Sequence, residues 1–332
     1  MIYPVILAGG RSIRFNSEKS KVLHNLLGKP IIFYILDILK ELSFETIFVI
    51  SGKNHDELIK SLPPDVRLME QKVPLGTGDA VRVALDHIES GEIFILPGDA
   101  PLLEAETLKK LIEKHTKEGN ACTFLTAILE KPTGYGRVIR KNEKPIKIVE
   151  EIDATEKEKE IKEVNAGVYL FKTEILKEII LDIKPDNKKG EYYITDCIEI
   201  LSLKKEKVNT LTLEDPKQML GINTREDYEK VFKILKERII KKWMDSGVTI
   251  MEKDSVYIES EVDIGKDTVI YPMVYLMGKT KIGKKAKIGP FVTIKDSIIN
   301  DEEEILGPCV IKSNIKSYIL HEVMKEKKKM LD

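Results

Sequence analysis

Between Gly9 and His24 the chain gathers Arg11, Arg14, Lys19 and Lys21, four cations within eleven residues, directly behind the pair Gly9-Gly10. A glycine pair lets backbone N–H groups come close to an anion, and fixed cations around it orient a ligand carrying several negative charges. The ligand expected is a nucleoside triphosphate. A second candidate is Asp99, in Pro97-Gly98-Asp99-Ala100-Pro101, immediately after the apolar run Ile93 to Leu96. A carboxylate at the carboxyl end of a strand in an open α/β sheet lies where such folds bind ligands. Mg2+ takes one or two carboxylates or amides together with substrate phosphates and water, so Asp99 is the candidate Mg2+ ligand. Its competing role is to cap the helix expected from Glu104 to Lys117.

The elements that must position these groups follow from periodicity. Ile2 to Leu7 is an uncharged apolar run of strand type, and Pro30 to Glu41 carries Ile31, Ile32, Tyr34, Ile35, Ile38 and Leu39 at helical spacing. Strands are expected at Thr46 to Ile50, Val66 to Met69, Ile93 to Leu96, Ala121 to Leu125, Ile146 to Glu150 and Glu163 to Phe171, with a short helix at Asp56 to Leu62 and another that follows Gly76 and Gly78 and runs to about Ile88. From Thr224 to Asp245, Val231, Phe232, Leu235, Ile239, Ile240 and Trp243 recur at helical spacing, and Gly247 ends that helix. Beyond it the period becomes six: Ile258, Ile264, Ile270, Leu276, Ile282, Ile288 and Ile294, each with a small or β-branched residue two positions earlier. Such a repeat reads as a hexapeptide β-helix of three or four coils, losing register near Asn300. Ser317 to Leu331 is expected to form a lysine-rich amphipathic helix capping its end.

A chain of 332 residues exceeds what one core usually serves, and a net charge of −1 gives no basic excess to suggest nucleic acid. No apolar run approaches a membrane span and the first residues do not resemble a signal peptide, so a cytoplasmic location is expected. Cys122, Cys197 and Cys309 show no zinc or redox spacing. Neither common phosphate loop fits: Gly-x4-Gly-Lys-Ser/Thr is absent, and Ser12 stands where the dinucleotide fingerprint needs its second glycine.

The pattern that fits is Leu7-Ala8-Gly9-Gly10-x-x-x-Arg14, Lys21-Val22-Leu23-His24 and Gly28-Lys29-Pro30, which resembles the amino-terminal signature of sugar-1-phosphate nucleotidyltransferases. The Lys-Val-Leu-His run narrows it to the N-acetylglucosamine-1-phosphate uridyltransferases. Leu75 to Gly78, Gly98 to Pro101, Gly134 to Arg137 and Gly190 to Asp196 resemble further segments of that family in the same order. The resemblance implies an α/β fold: a Rossmann-like mixed-sheet nucleotidyltransferase domain (1–223), a connecting amphipathic helix (224–248), a short left-handed parallel β-helix of hexapeptide repeats (249–316) and the terminal cap (317–332). It implies nucleotide binding by Leu7, Ala8, Gly9, Gly10, Gln71, Gly76 and Thr77, and catalysis assisted by Arg14 and Lys21. It further implies that Gly136, Glu150 and Asn165 hold the amino sugar, that Tyr193 and Thr195 close its pocket, and that Asn223 shares Mg2+ with Asp99. The activity implied is Mg2+-dependent uridylyl transfer from UTP to N-acetylglucosamine-1-phosphate by a homotrimer. The family's distal coils, which form an acetyltransferase, have no counterpart, so acetyl transfer is not expected. Other readings are a nucleotidyltransferase for another hexose-1-phosphate and a non-catalytic sugar-nucleotide-binding protein.

The chain departs from the family at Ser12 and Ile13 in place of Gly-Thr and at Ser20 in place of proline. It departs again at Pro74 in place of a glutamine and at Ala166 in place of threonine.

Overall fold

The structure, a computed structural model, describes residues 1–10 and 13–318 and divides into two compact units. The first comprises residues 1–24 and 30–228, the second residues 25–29 together with those from Glu229 onward.

Alternation along the strands writes the first unit. Ile6, Phe94 and Leu96 join a core on one face of a sheet with Ile32, Ile35 and Leu108, whereas Val5, Ile93 and Ile95 join a core on the other face with Val81, Leu85 and Ile198. A strand whose successive side chains are both buried needs cover on both faces, which gives a three-layer α/β/α arrangement. The strands are β1 (Ile2–Leu7), β2 (Ile47–Ser51), β3 (Val66–Glu70), β4 (Glu92–Pro97), β5 (Cys122–Ile128), β6 (Arg137–Lys141), β7 (Lys144–Val149), β8 (Glu163–Lys172) and β9 (Val208–Thr212). Their spatial order is β9-β5-β8-β4-β1-β2-β3, with β6 and β7 as a hairpin attached to β8. β1, β2, β3 and β4 are mutually parallel and β8 runs antiparallel to β4, so the sheet is mixed, as expected. The carboxyl ends of β1 and β4 therefore share an edge with the beginning of β8. Near that edge β8 shifts register between Asn165 and Tyr169, and Gly167 takes a φ of 76°.

Expected helices appear at Ile31–Glu41, His55–Ser61, Thr77–Leu85 and Ala105–Glu118. The edge strand β9 and the helix Thr173–Ile179 lie outside the sequence expectations. β9 is short and polar, and its place is set by parallel pairing to β5.

In the second unit the six-residue period becomes three parallel sheets of very short strands, the left-handed β-helix. Ile258, Leu276 and Ile294 stack in register, as do Ile264 with Ile282 and Ile270 with Ile288, all buried. The register loss expected near Asn300 is a one-residue deletion. Ile294 is followed by buried Ile299, five positions on, across a corner where Asp296 takes a φ of 48°; the period then resumes at Ile305 and Ile311.

Three boundaries differ from expectation. Residues 25–29 group with the solenoid, because Ser260 N donates to Leu27 O at 2.9 Å and Leu26 and Leu27 are buried. Gly28, at φ 96°, lies where a Cβ would come within 2.9 Å of Glu259. The long helix spans Arg225–Asp245, and the division between units falls inside it. Finally, Ile315–Tyr318 is a strand running antiparallel to Cys309–Lys312 across Ser313 and Asn314, at φ 50° and 65°, so the expected terminal helix does not begin at Ser317. The rest of that expected cap lies outside the described residues. Among the described residues no helix is long and apolar enough to cross a membrane, and the three cysteines are buried and form no disulfide.

Leu276 is fully buried between Ile258 and Ile294, and the single tryptophan, Trp243, belongs to the same core. Leu276→Ala should lower solenoid stability by about 3 kcal/mol, read from urea unfolding followed by Trp243 fluorescence.

Candidate active site

A cleft of about 340 Å³ opens in the first unit at the carboxyl end of β4, and Arg14, Asp99, Gly136, Glu150, Asn165 and Asn223 are among its lining residues. Tyr135, not singled out from the sequence, lines it too; burial and then the carboxylates of Asp227 and Asp99 push its hydroxyl above the usual phenol range.

At one end of the cleft the Lys21 ammonium donates to Asp99 Oδ2 at 2.5 Å and to Asn223 Oδ1 at 2.9 Å. The ammonium is almost buried and the carboxylate mostly so, a setting in which each needs the other's charge. Asp99 therefore does not cap the helix Ala105–Glu118, whose cap position is Glu104. Asn223 is likewise relieved of capping the long helix: Thr224 Oγ1 accepts from Asp227 N at 3.0 Å, and Asp227 Oδ2 accepts from Thr224 N at 2.8 Å and Asn223 N at 3.0 Å. The main chain closes the arrangement, with Ile222 N donating to Asp99 O at 2.9 Å.

The loop after β1 is held from beneath. Asn54 Nδ2 donates to Ala8 O at 3.0 Å and to Ser20 Oγ at 2.8 Å, and Ser20 N donates to Glu57 Oε2 at 2.8 Å. Proline at position 20 could make neither of these last two bonds, so the serine there is a rewired anchor for Lys21. Gly9 needs its lack of side chain, since a Cβ would meet the Ser51–Gly52 backbone at 3.1 Å. Phe15 is fully buried, with the ring of His24 edge-on at 4.8 Å and the guanidinium of Arg225 over its face at 4.0 Å. Burial and then the charges of Arg225 and Lys19 lower the pKa of His24 below the usual imidazole range. Arg11 and Ser12 lie outside the described residues.

The opposite wall comes from the end of β7 and the beginning of β8, with the segment before the helix Asp196–Leu203 behind Glu150 and not itself on the lining. Glu150 follows the last residue of β7, where Thr195 Oγ1 donates to its Oε1 at 3.3 Å; burial raises its pKa and the threonine bond opposes that. Gly136 is small because a Cβ would lie 2.9 Å from Ile148 and 3.4 Å from Glu150. Asn165 N donates to Gly136 O at 2.9 Å, and its side chain is engaged by Gly167 N and Tyr169 Oη at 3.0 and 2.5 Å. The loop carrying Tyr135 and Gly136 is pinned by buried Arg137, which pairs with Glu151 at 2.7 Å.

Of the expected site residues, Leu7 to Gly10, Lys21, Tyr193 and Thr195 are not on this cleft lining, nor are Gln71, Gly76 and Thr77, which follow β3. Gly76, at φ 116°, admits no side chain because Tyr192 O would lie 2.5 Å from its Cβ. Gly78 N donates to Tyr192 O at 2.8 Å, Tyr192 N to Leu75 O at 2.7 Å and Ile194 N to Thr77 Oγ1 at 3.1 Å. Two separate sequence motifs are thus laced together, and the second carries Tyr193 and Thr195. Tyr193 is buried with its hydroxyl unpaired among the described residues.

Fold and cleft define the class: nucleotidyltransferases whose catalytic domain is continued by a hexapeptide-repeat solenoid. The MobA-like NTP transferase domain matches residues 4–157, and the bacterial transferase hexapeptide (six repeats) matches residues 261–296. The bifunctional protein GlmU of Thermosipho africanus is 43% identical over 316 residues, covering 95% of this chain and 68% of the relative; that of Alkaliphilus metalliredigens is 39% identical, covering 95% and 69%. The chain belongs to the GlmU family, spanning about two thirds of the length of these relatives. In fold it is similar to a UDP-glucose pyrophosphorylase complexed with UDP-glucose, at a TM-score of 0.59 and 17% identity over 72% of this chain and 100% of the other.

Asp196 opens a helix beside Glu199, Glu150 and Asp153; burial first, then those carboxylates, push its pKa up to about 6 against the pull of Lys147. Because the folded value exceeds the unfolded one, folding favours the protonated acid, and its cost grows as pH rises from about 4 to above 6. Asp196→Asn should leave stability nearly unchanged at pH 4 and raise it by about 1 kcal/mol at pH 8, after allowing for partial exposure. Urea unfolding at the two pH values reads the difference.

Proposed function

We propose that this protein transfers a uridylyl group from UTP to N-acetylglucosamine-1-phosphate, giving UDP-N-acetylglucosamine and pyrophosphate. The observation that carries this reading is the convergence of Lys21, Asp99 and Asn223 at the carboxyl edge of β1 and β4, in a member of the GlmU family.

The sugar phosphate oxygen attacks the α-phosphorus in line and pyrophosphate leaves on the opposite side, with no covalent enzyme intermediate. Leu7 to Gly10 offer a side-chain-poor strand end for the triphosphate, with Gln71, Gly76 and Thr77 at the base and ribose. Arg14 and Lys21 hold the phosphates as charge moves to the leaving group. Gly136, Glu150 and Asn165 fix the amino sugar, and Tyr193 and Thr195 back its pocket; Glu150 has its Oε1 steadied by Thr195.

Asp99 and Asn223 fit a divalent metal, taken here as Mg2+: their oxygens already converge on one cation, the Lys21 ammonium. Among the described residues no three His, Cys, Asp or Glu side chains form a metal cluster, so two protein oxygens leave the remaining positions to phosphates and water. Mg2+ at this place would neutralise charge on the phosphates during transfer.

Uridylyl transfer is the activity proposed; among the described residues, parallel stacking on one sheet gives way to the antiparallel strand Ile315–Tyr318 beside Cys309–Lys312. The reading includes a cytoplasmic location and a homotrimer formed through the solenoid, whose outer surface exposes Met273, Tyr275, Phe291 and Ile298. Sedimentation equilibrium should return three times the chain mass of 37.8 kDa; a monomer at micromolar concentration would remove the trimer.

Pyrophosphate release with Mg2+, UTP and N-acetylglucosamine-1-phosphate should be robust and should fall by about a hundredfold or more in Asp99→Ala. Preference for glucose-1-phosphate with dTTP would instead make this a different sugar nucleotidyltransferase.

A further inference from the structure

Gln71 directly follows β3 and is only 6% exposed. Both hydrogens of its side-chain amide are engaged: Nε2 donates to Asp79 Oδ2 at 2.7 Å and to Gly76 O at 3.0 Å. A carboxylate and a carbonyl are acceptors only, so the amide has one workable orientation; exchanging nitrogen and oxygen would set three acceptors against one another. Nitrogen is committed to the helix Thr77–Leu85 and its leading glycine, and Oε1 is the atom left for a ligand. The main chain is fixed as well, because Gln71 N donates at 2.9 Å to the carbonyl of Ser51, and that same Ser51–Gly52 backbone lies against Gly9.

We propose that Asp79 sets pyrimidine selectivity. By holding the Gln71 amide with nitrogen inward it presents Oε1 as an acceptor, which admits a base with N–H at that point, uracil or thymine, in preference to cytosine. This rests on the reading of Gln71 as the residue that meets the base. Uracil and thymine carry hydrogen on N3, whereas cytosine carries a lone pair there. An acceptor opposite N3 gains a hydrogen bond from the first two and meets repulsion from the third. Without Asp79 only the Gly76 carbonyl still holds the nitrogen inward, so the orientation that offers Oε1 loses its stronger, charged partner and the reversed amide competes with it. Sites that hydrogen-bond a ligand reject an analogue lacking the partner far more strongly than apolar pockets do, so the orientation of one amide suffices to discriminate. Asp79 touches no substrate in this arrangement and is a positioning residue. It also lies in the first turn of its helix, where a carboxylate favours the helix itself. That purely structural role predicts equal losses with every nucleotide.

The test measures kcat/KM for UTP, CTP and dTTP with the full chain and with Asp79→Ala. The UTP-to-CTP ratio should fall by about tenfold or more, while the UTP-to-dTTP ratio, which does not depend on N3, stays within about twofold. Ratios within one preparation are independent of the fraction folded, so a destabilised variant still answers. An unchanged UTP-to-CTP ratio with all three rates reduced together overturns the assignment. Should the full chain turn over none of the three, equilibrium binding of UTP and CTP reads the same ratio, separating failure of the uridylyltransferase reading from failure of this one. Binding of neither nucleotide overturns both.

Discussion

An ammonium held between a carboxylate and an amide oxygen ties the first unit together. Lys21, Asp99 and Asn223 are separated by 78 and 202 positions along the chain, yet they meet within 2.5 and 2.9 Å. Charges this far removed from water require close partners, and partners must be delivered by rigid supports. Each support is visible. Lys21 follows Ser20, itself tied to Asn54 and Glu57; Asp99 emerges from a strand buried on both faces; Asn223 precedes a helix whose first turn is closed by Thr224 and Asp227. The same organisation that meets the electrostatic demand leaves an open cleft beside it, with Arg14 on its lining.

Much of this was legible in the chain because two periodicities are strong. Strand runs with no charge announced a sheet covered on both faces, and a strict six-residue repeat announced the solenoid. Asp99 and Asn223 meet at the Lys21 ammonium, and Glu150 and Asn165 line the cleft that they also line. What stayed hidden was pairing between distant short segments. β9 is a polar five-residue strand defined by its neighbour β5, and the hairpin at residues 25–29 groups with a unit whose bulk begins two hundred residues later. Neither carries a local signal. Residues that hold others, such as Asn54, Asp79 and Arg137, were invisible for the same reason: their importance lies in hydrogen bonds across the fold, which no spacing encodes.

Two sequence departures have different physical characters. Serine at position 20 adds a donor and an acceptor that proline lacks, and both are used, so the substitution exchanges a rigid φ for two hydrogen bonds. The shift of the solenoid period between Ile294 and Ile299 is a deletion taken up at a corner, where Asp296 adopts a left-handed conformation and its carboxylate receives Lys279 N at 3.0 Å. The loss falls between the inward-facing aliphatic positions, so Ile299, Ile305 and Ile311 remain buried.

A solenoid is a one-dimensional stack in which each rung depends on its nearest neighbours, so its last rung is the one most prone to fraying. The reversed strand alters that for one of the three sheets. Cys309–Lys312 is bonded on one side to Val292–Lys295 and on the other to Ile315–Tyr318, which makes it an interior strand although it ends the parallel run. Among the described residues the edge of that sheet is the four-residue strand Ile315–Tyr318, which runs in the opposite direction. An added strand running the opposite way does not continue a parallel ladder, so the turn at Ser313 and Asn314 steadies Cys309–Lys312 by pairing it on both sides.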